Sequence, residues 1–341
     1  MDLIIVSDAW HPQLNGVVRT LDKTIACLKA RGWRVIVIAP DQFRTIPCPT
    51  YPDIPLALAP GRAVARKIDE ALPAAVHIAT EGPLGMAARA HCIKRRLPFT
   101  TAYHTRFPEY LHLRTRLPLN LSYGAMRWFH KPSRGVMVAA PSVIDELTRR
   151  GFQNIRRWGR GVDTELFRPR DKAYISDKRP IVMYAGRVAI EKNITAFLDT
   201  PCDGTKYVVG GGPQLADLER RYPDVRFTGM RTNGDLASLM AAADVIVFPS
   251  LTDTFGLVIL EALASGVPVA AFPVSGPVDV LGESGAGALD ADLGRAIRAA
   301  LGISADTARA HALKFSWDAC TDQFVANLAT AWPETVRRAI P

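Results

Sequence analysis

Cysteine is scarce in this chain. The five residues Cys27, Cys48, Cys92, Cys202 and Cys320 are scattered through 341 positions with no C-x-x-C pair. That odd, dispersed set argues against a zinc site or a disulfide framework and fits reduced thiols in a cytosolic compartment. Long apolar runs are missing too: no stretch of 18 or more apolar residues occurs, so no membrane-spanning helix is expected. Met1 passes straight into "LIIVSD" without a basic leader, so no secretory signal is expected. Absent as well is a G-x-G-x-x-G turn followed by an acid about twenty residues on, which removes the dinucleotide fingerprint.

What the sequence does hold is, first, a lopsided charge. Residues 1–168 carry 25 Lys+Arg against 13 Asp+Glu, a net of +12; residues 169–341 carry 17 against 20, a net of −3; together these make the overall +9. A basic first half points to a polyanionic partner, either nucleic acid or an anionic membrane surface. At 48% hydrophobic over 341 residues the chain has material for two cores. Short Val- and Ile-rich runs recur between helical patterns: "LIIVSD" (3–8), "RVIVIAP" (34–40), "AVHIAT" (75–80), "FTTAYH" (99–104) and "GVMVAAPS" (135–142). The second half repeats the scheme with "PIVMYAG" (180–186), "KYVVGG" (206–211), "VRFTG" (225–229), "DVIVFPS" (244–250) and "PVAAFP" (268–273). Continuous rather than alternating apolar runs are what a parallel sheet covered on both faces requires. The expected fold class is α/β, with two doubly wound, Rossmann-like domains. The polar "FRPRDKAYISDKRP" (167–180) marks a linker, and "LKFSWDACTDQFVANLATAW" (313–332) reads as a closing helix. Ligands of open parallel sheets sit at the C-terminal strand edges, so the expected site is the cleft between the two domains.

Four stretches fall at those edges. "SDAWHPQLNGVVRTL" (7–21) leaves the first strand and places Asn15-Gly16 before a helix; glycine lets a ligand approach the backbone beside a helix N-terminus that favours anions, though Asn-Gly is also ordinary loop chemistry. His104 ends the strand "FTTAYH" and, taken alone, reads as structural. "AGRVAIEKN" (185–193) brings Arg187 and Lys192 to a strand edge, two cations suited to a diphosphate unless Glu191 pairs with one of them. "GGGP" (210–213) is a turn on which a flat base can lie. "DTFGLVILE" (253–261) then sets Asp253 before a helix, as ligand contact or N-cap, with Thr254 an equal cap candidate. Glu261 lies two turns into that greasy helix, where a buried carboxylate needs a partner or a ligand.

Together these residues resemble the retaining GT-B glycosyltransferases of family 4. "DTFGLVILEALASGVPV" resembles the family's E-x7-E signature with Asp253 in the first acidic place, one methylene shorter. "GRVAIEKN" is similar to its G-R-x-x-x-x-K-N phosphate motif, "GVDTELFRP" (161–169) to its interdomain strand end, and "FSWD" (315–318) to the start of its crossing helix. The resemblance implies a GT-B arrangement with an acceptor- and membrane-binding domain over 1–168, a nucleotide-sugar-binding domain over 169–314, and a helix over 315–341 packing back on the first. It implies transfer from a nucleotide-sugar, of UDP-glucose or UDP-glucuronate type, with no metal or other cofactor. In that reading Arg187 and Lys192 neutralise the leaving diphosphate, assisted by Gly16 and by the Leu257 and Val258 amides behind Phe255 and Gly256. Asp253 contacts sugar hydroxyls, Glu261 the ribose, and His104 the donor sugar, while Gly212 and Met230 lie near the base. "DAD" (290–292) mimics the metal motif of another transferase fold and reads instead as a helix cap.

For the acceptor, "EYLHLRTRLPLNLSYGAMRWFHKPSR" (109–134) mixes apolar and aromatic residues with cations. Such a stretch suits an interfacial helix on anionic lipid, or else a solvated basic face over an ordinary core stripe. "HIATEGPLG" (77–85) and "DAWHPQLNGV" resemble the bacterial and plastid branch that glycosylates diacylglycerol-type lipids, sulfoquinovosyl-transfer relatives included. The expected acceptor is therefore a membrane lipid, with Trp10, Glu81, Arg114, Arg116, Arg127, Trp128 and Lys131 on the acceptor and membrane side. A peripheral place on the inner face of the plasma membrane follows. Two alternatives within the shape are transfer from GDP-mannose to a phosphoinositide or soluble glycan, and nucleotide-sugar 2-epimerisation. A nucleic-acid binder would leave Arg187, Lys192, Asp253 and Glu261 without a role, and no nucleic-acid module is visible.

Overall fold

Apolar runs of four or five residues are too short for helices and too continuous for half-exposed strands, so they become inner strands of parallel sheets. The structure, a computed structural model, describes residues 2–13, 15–48 and 51–332, with 51–53, 114 and 233 described by backbone alone. Two compact units result, Met1–Arg160 with Trp317–Pro341, and Gly161–Ser316.

The first unit opens with β1 (Asp2–Val6), α1 (Gly16–Ala30) and β2 (Arg34–Ile38), followed by an antiparallel hairpin of β3 (Thr45–Cys48) and β4 (Tyr51–Ala57). It continues through α2 (Gly61–Ala71), β5 (Ala75–Ile78), α3 (Pro83–Arg95), β6 (Thr100–Tyr103), α4 (Phe107–Thr115) and α5 (Leu119–His130). Then come β7 (Gly135–Val138), α6 (Pro141–Arg149) and β8 (Ile155–Arg157). The strand order is β2-β1-β5-β6-β7-β8, parallel throughout. β5, β6 and β7 are buried along their whole length, and the order reverses between β1 and β5, which makes that junction the switch point where ligands of such sheets bind.

The second unit repeats the plan. β9 (Ile181–Ala185), α7 (Ile194–Asp199), β10 (Thr205–Val209), α8 (Leu215–Arg221), β11 (Arg226–Gly229) and α9 (Asn233–Ala242) form one half. β12 (Val245–Phe248), α10 (Leu257–Ala264), β13 (Val269–Ala271), α11 (Ser275–Leu281), β14 (Gly287–Leu289), α12 (Leu293–Ala300) and α13 (Ala305–Ala312) form the other. Its parallel sheet runs β11-β10-β9-β12-β13-β14 and switches between β9 and β12.

The chain then returns to the first unit as α14 (Trp317–Ala329). Phe324 and Leu328 of this helix enter the core of Leu3, Ile5, Leu21 and Trp158. A fully buried phenylalanine such as Phe324 contributes roughly 1.5–3 kcal/mol, which holds the helix down. Asp292 accepts from the amides of Gly294 and Arg295, so the "DAD" acid is a helix cap, as its position at a helix start suggested.

Four strands lie outside the sequence reading, which expected five per half. β8 and β14 are three-residue edge strands, one polar ("IRR") and one glycine-containing ("GAL"), with no apolar run to announce them. β3 and β4 carry prolines, which an edge hairpin tolerates and an inner strand does not.

Candidate active site

In the second unit, the loops after the two switch-point strands converge. After β9 comes Gly186 at φ +150°, then a 3₁₀ turn, Ile190–Lys192. The Asn193 amide donates to the Pro249 carbonyl beyond β12 at 3.1 Å, and the hydroxyls of Ser250 and Thr252 both donate to the Glu191 carbonyl at 3.3 Å. These bonds place Lys192 Nζ 2.5 Å from Asp253 Oδ1, with the two side chains only 22% and 14% exposed. Asp253 is not an N-cap: the cap of α10 is Gly256, at φ +83° and without a side-chain bond. Asp253 Oδ2 is buried and has no hydrogen-bond partner among the described residues.

The glycine turn locks onto the same place. Gly186 N donates to Val209 O at 2.9 Å, Val188 N to Gly211 O at 2.9 Å, and Gly210 N to Gly229 O at 3.0 Å. A Cβ on Gly210 would stand 1.8 Å from Gly186 O, and one on Gly212 2.3 Å from Val188 O; the strand-end loops touch backbone to backbone, so only glycine fits. Met230 is exposed and its methyl lies 3.5 Å from where a Gly211 Cβ would be, which puts it at the glycine turn. Arg187 is half-buried, and its carbonyl accepts from the Tyr184 hydroxyl at 2.7 Å. Leu257 and Val258 form the first turn of α10, Glu261 sits buried one turn on, and Phe255 is buried too. Phe255 can therefore offer a ligand its backbone rather than its ring.

In the first unit, Gly16 is the first residue of α1, and Asn15 Oδ1 accepts from Val17 N and Val18 N at 3.0 Å each. The cap occupies those two amides, which leaves Gly16 itself as the anion-binding candidate. Trp10 is half-buried against the core. Glu81 Oε1 lies 3.2 Å from Nε2 of the buried His130. His104, directly after β6, has its Nδ1 3.0 Å from Arg160 Nη2. It stands edge-on to Trp158 at 5.4 Å, itself packed at a tilt against Phe324 of α14 at 4.9 Å.

Asp8 escaped the sequence reading. Its carboxylate accepts from Leu84 N (2.8 Å), Gly85 N (3.2 Å) and the Thr80 hydroxyl (2.8 Å), anchoring the N-terminus of α3 while burial pushes its pKa up. The available signal was an acid at a strand end together with two glycines in "EGPLG": a Cβ on Gly82 would strike Asp8 at 2.4 Å, and one on Gly85 would lie 1.9 Å from Thr80 O.

The 109–134 stretch is two helices rather than one. α4 closes at Arg116, at φ +58°, and Pro118 precedes α5. Arg116, Arg127 and Lys131 are exposed, as are Leu113, Leu117, Leu121 and Trp128; the Arg114 side chain lies outside the described residues. Arg127 donates to Arg150 O at 2.8 Å, and the Arg89 guanidinium sits 3.9 Å over the Trp128 ring. No helix among the described residues is long and apolar enough to cross a membrane.

Two families match the sequence: the one described as Glycosyltransferase Family 4 over residues 14–166, and the one described as Glycosyl transferases group 1 over residues 179–303. The chain is 28% identical over 310 residues to the sulfoquinovosyl transferase of Arabidopsis thaliana, covering 82% of the chain but only 61% of that longer protein. It is 30% identical over 313 residues to the GDP-mannose-dependent alpha-mannosyltransferase of Corynebacterium glutamicum, covering 83% of the chain and 75% of the relative. Among solved structures, sucrose-phosphate synthase from Thermosynechococcus elongatus superposes with a TM-score of 0.76 at 20% identity, covering 95% of this chain and 97% of that one. That last likeness is one of fold, and the fold it shares is GT-B.

Proposed function

This chain belongs to the family 4, group 1 glycosyltransferases, and from that premise we propose a retaining, metal-independent transfer of a sugar from a nucleoside-diphosphate donor to a hydroxyl of a membrane lipid. The donor is of UDP-glucose or UDP-glucuronate type, and the acceptor is a diacylglycerol-type lipid. The observation that carries the donor half is the Lys192–Asp253 pair at the β9/β12 switch point, held beside the glycine turn. A cation fixed there faces the leaving diphosphate without needing to reorganise, which is where electrostatic catalysis gains most. Arg187 adds a second cation, Asp253 offers its other oxygen to sugar hydroxyls, and Glu261 takes the ribose. His104 and Gly16 are further candidates for the donor, as the family resemblance implies. The acceptor hydroxyl attacks C1 from the face the diphosphate leaves: the C1–O(phosphate) bond breaks, the new C1–O bond forms, and the acceptor's proton passes to the departing phosphate oxygen. An NMR coupling in the product showing the donor's anomeric configuration is expected; inversion would overturn this step.

The acceptor half rests on exposed Leu113, Leu117, Leu121 and Trp128 interleaved with exposed Arg116, Arg127 and Lys131. Each cation near an anionic surface is worth about 1 kcal/mol before screening, and buried apolar side chains add a term that salt does not weaken. The proposed place is the inner face of the plasma membrane, bound peripherally. Vesicle co-sedimentation is expected to rise with anionic lipid and to fall when Arg114, Arg116, Arg127 and Lys131 become Ser, with lipid transfer falling in step and UDP binding unchanged. Pelleting of that variant at the wild-type level would move the docking surface elsewhere. A second donor, GDP-mannose, is favoured by the name of the Corynebacterium glutamicum relative. Radiolabelled UDP-glucose, UDP-glucuronate and GDP-mannose offered with a membrane lipid extract decide between them, and label entering no lipid with any donor would refute the acceptor.

A further inference from the structure

His104 Nδ1 lies 3.0 Å from Nη2 of Arg160. Arg160 is 7% exposed, and its other amino group donates to the carbonyls of Trp158 and Gly159, both at 2.7 Å. A guanidinium has donors and no acceptor. The Nδ1 of His104 is therefore the accepting, unprotonated nitrogen, and the ring carries its proton on Nε2.

We infer that Arg160 is a positioning residue that locks His104 as a neutral Nε2–H tautomer, so that His104 serves the transfer as a hydrogen-bond donor to a substrate oxygen and never as a base through Nδ1. The donor role rests on the function proposed above; the tautomer does not. The surroundings reinforce the lock. Trp158 walls the imidazole, backed by His77 at 5.7 Å and Phe324 at 4.9 Å. Among the described residues, the titratable neighbours of the pair include His77 on β5, held neutral at about 3 by burial, and Cys320 on α14, whose thiol donates to Gly159 O at 3.1 Å and is pushed up to about 11 by burial. Burial holds the His104 pKa well below its ordinary value, and the Arg160 charge lowers it further. Protonation at Nδ1 would also turn an attractive contact into one between two cations.

The test is direct. In spectra of the full chain carrying ¹⁵N-histidine, the signal lost in His104→Ala should show the Nε2–H pattern, unchanged from about pH 8 to about pH 5.5, where an ordinary histidine has become imidazolium. Arg160→Met should raise the pKa of that ring by removing the Arg160 charge, with burial still holding it below the ordinary value, and should mix its tautomers. The kcat/KM of that variant at neutral pH should be down about tenfold for one lost hydrogen bond. Arg160→Lys, still a donor, should restore the single tautomer and most of the activity. His104→Gln, which keeps a donor amide, should retain more transfer than His104→Ala. An Nδ1–H or imidazolium pattern in the wild type at neutral pH overturns the lock whatever Arg160→Met does to folding. A folded Arg160→Met with an unchanged tautomer overturns it as well. Equal losses in His104→Gln and His104→Ala overturn the donor role.

Discussion

Replacing Lys192 by alanine is expected to lower kcat by about 10²–10³-fold while the protein stays folded, the scale seen when a preorganised charge stabiliser is removed. Two effects add. The cation facing the leaving diphosphate is gone, and Asp253, whose Oδ1 was held at 2.5 Å, is left uncompensated in a largely buried place. Its negative charge would then repel the diphosphate itself. Adding Asp253→Asn to Lys192→Ala should consequently restore part of the lost UDP affinity, and a double variant that binds UDP no better than the single one would break this account of the pair. Glu261→Ala should divide differently, weakening UDP binding by roughly 1.5–3 kcal/mol for a charged hydrogen bond lost to the ribose. Calorimetry with UDP separates these cases. EDTA should leave wild-type transfer unchanged because the charge comes from side chains; activity abolished by EDTA and restored by Mg²⁺ would refute that.

Gly210→Ala is expected to abolish nucleotide binding and to destabilise the second unit by about 3 kcal/mol or more, in the class of severe backbone effects. The new methyl would lie 1.8 Å from Gly186 O on a residue at φ +152°, so neither the side chain nor the facing backbone can yield in place. The loop must move. Its amide bond to Gly229 O and the register of the loop carrying Arg187 would go with it. Gly234→Ala is the control: its Cβ would meet nothing within 4 Å, and it lies on α9, where alanine is favoured over glycine by roughly 0.5–1 kcal/mol. Thermal unfolding of both variants, with UDP titration at a temperature where both are folded, checks the contrast. Equal melting temperatures for Gly210→Ala and wild type would show that the loops are not packed backbone to backbone.

The sequence by itself determined the fold class and singled out the residues proposed here for the donor, because both depend on local patterns. A buried parallel strand must be a short continuous apolar run, and all ten such runs are strands of the two parallel sheets here, eight of them inner. Arg187, Lys192, Asp253 and Glu261 could be picked out because charges at the ends of apolar strands, or inside an apolar helix, need a reason for being there. Tertiary structure alone decided which of these charges meet. Lys192 and Asp253 stand 61 positions apart in the chain and become neighbours only because β9 and β12 adjoin at the switch point. The same holds for Arg160 and His104, whose contact requires β6 and the segment beyond β8 to share one sheet edge, and for Asp8, whose partners lie over 70 positions away. The edge strands β3, β4, β8 and β14 were invisible for the complementary reason: a strand paired on one side can be polar, short or proline-bearing, and nothing in its own sequence then distinguishes it from a loop.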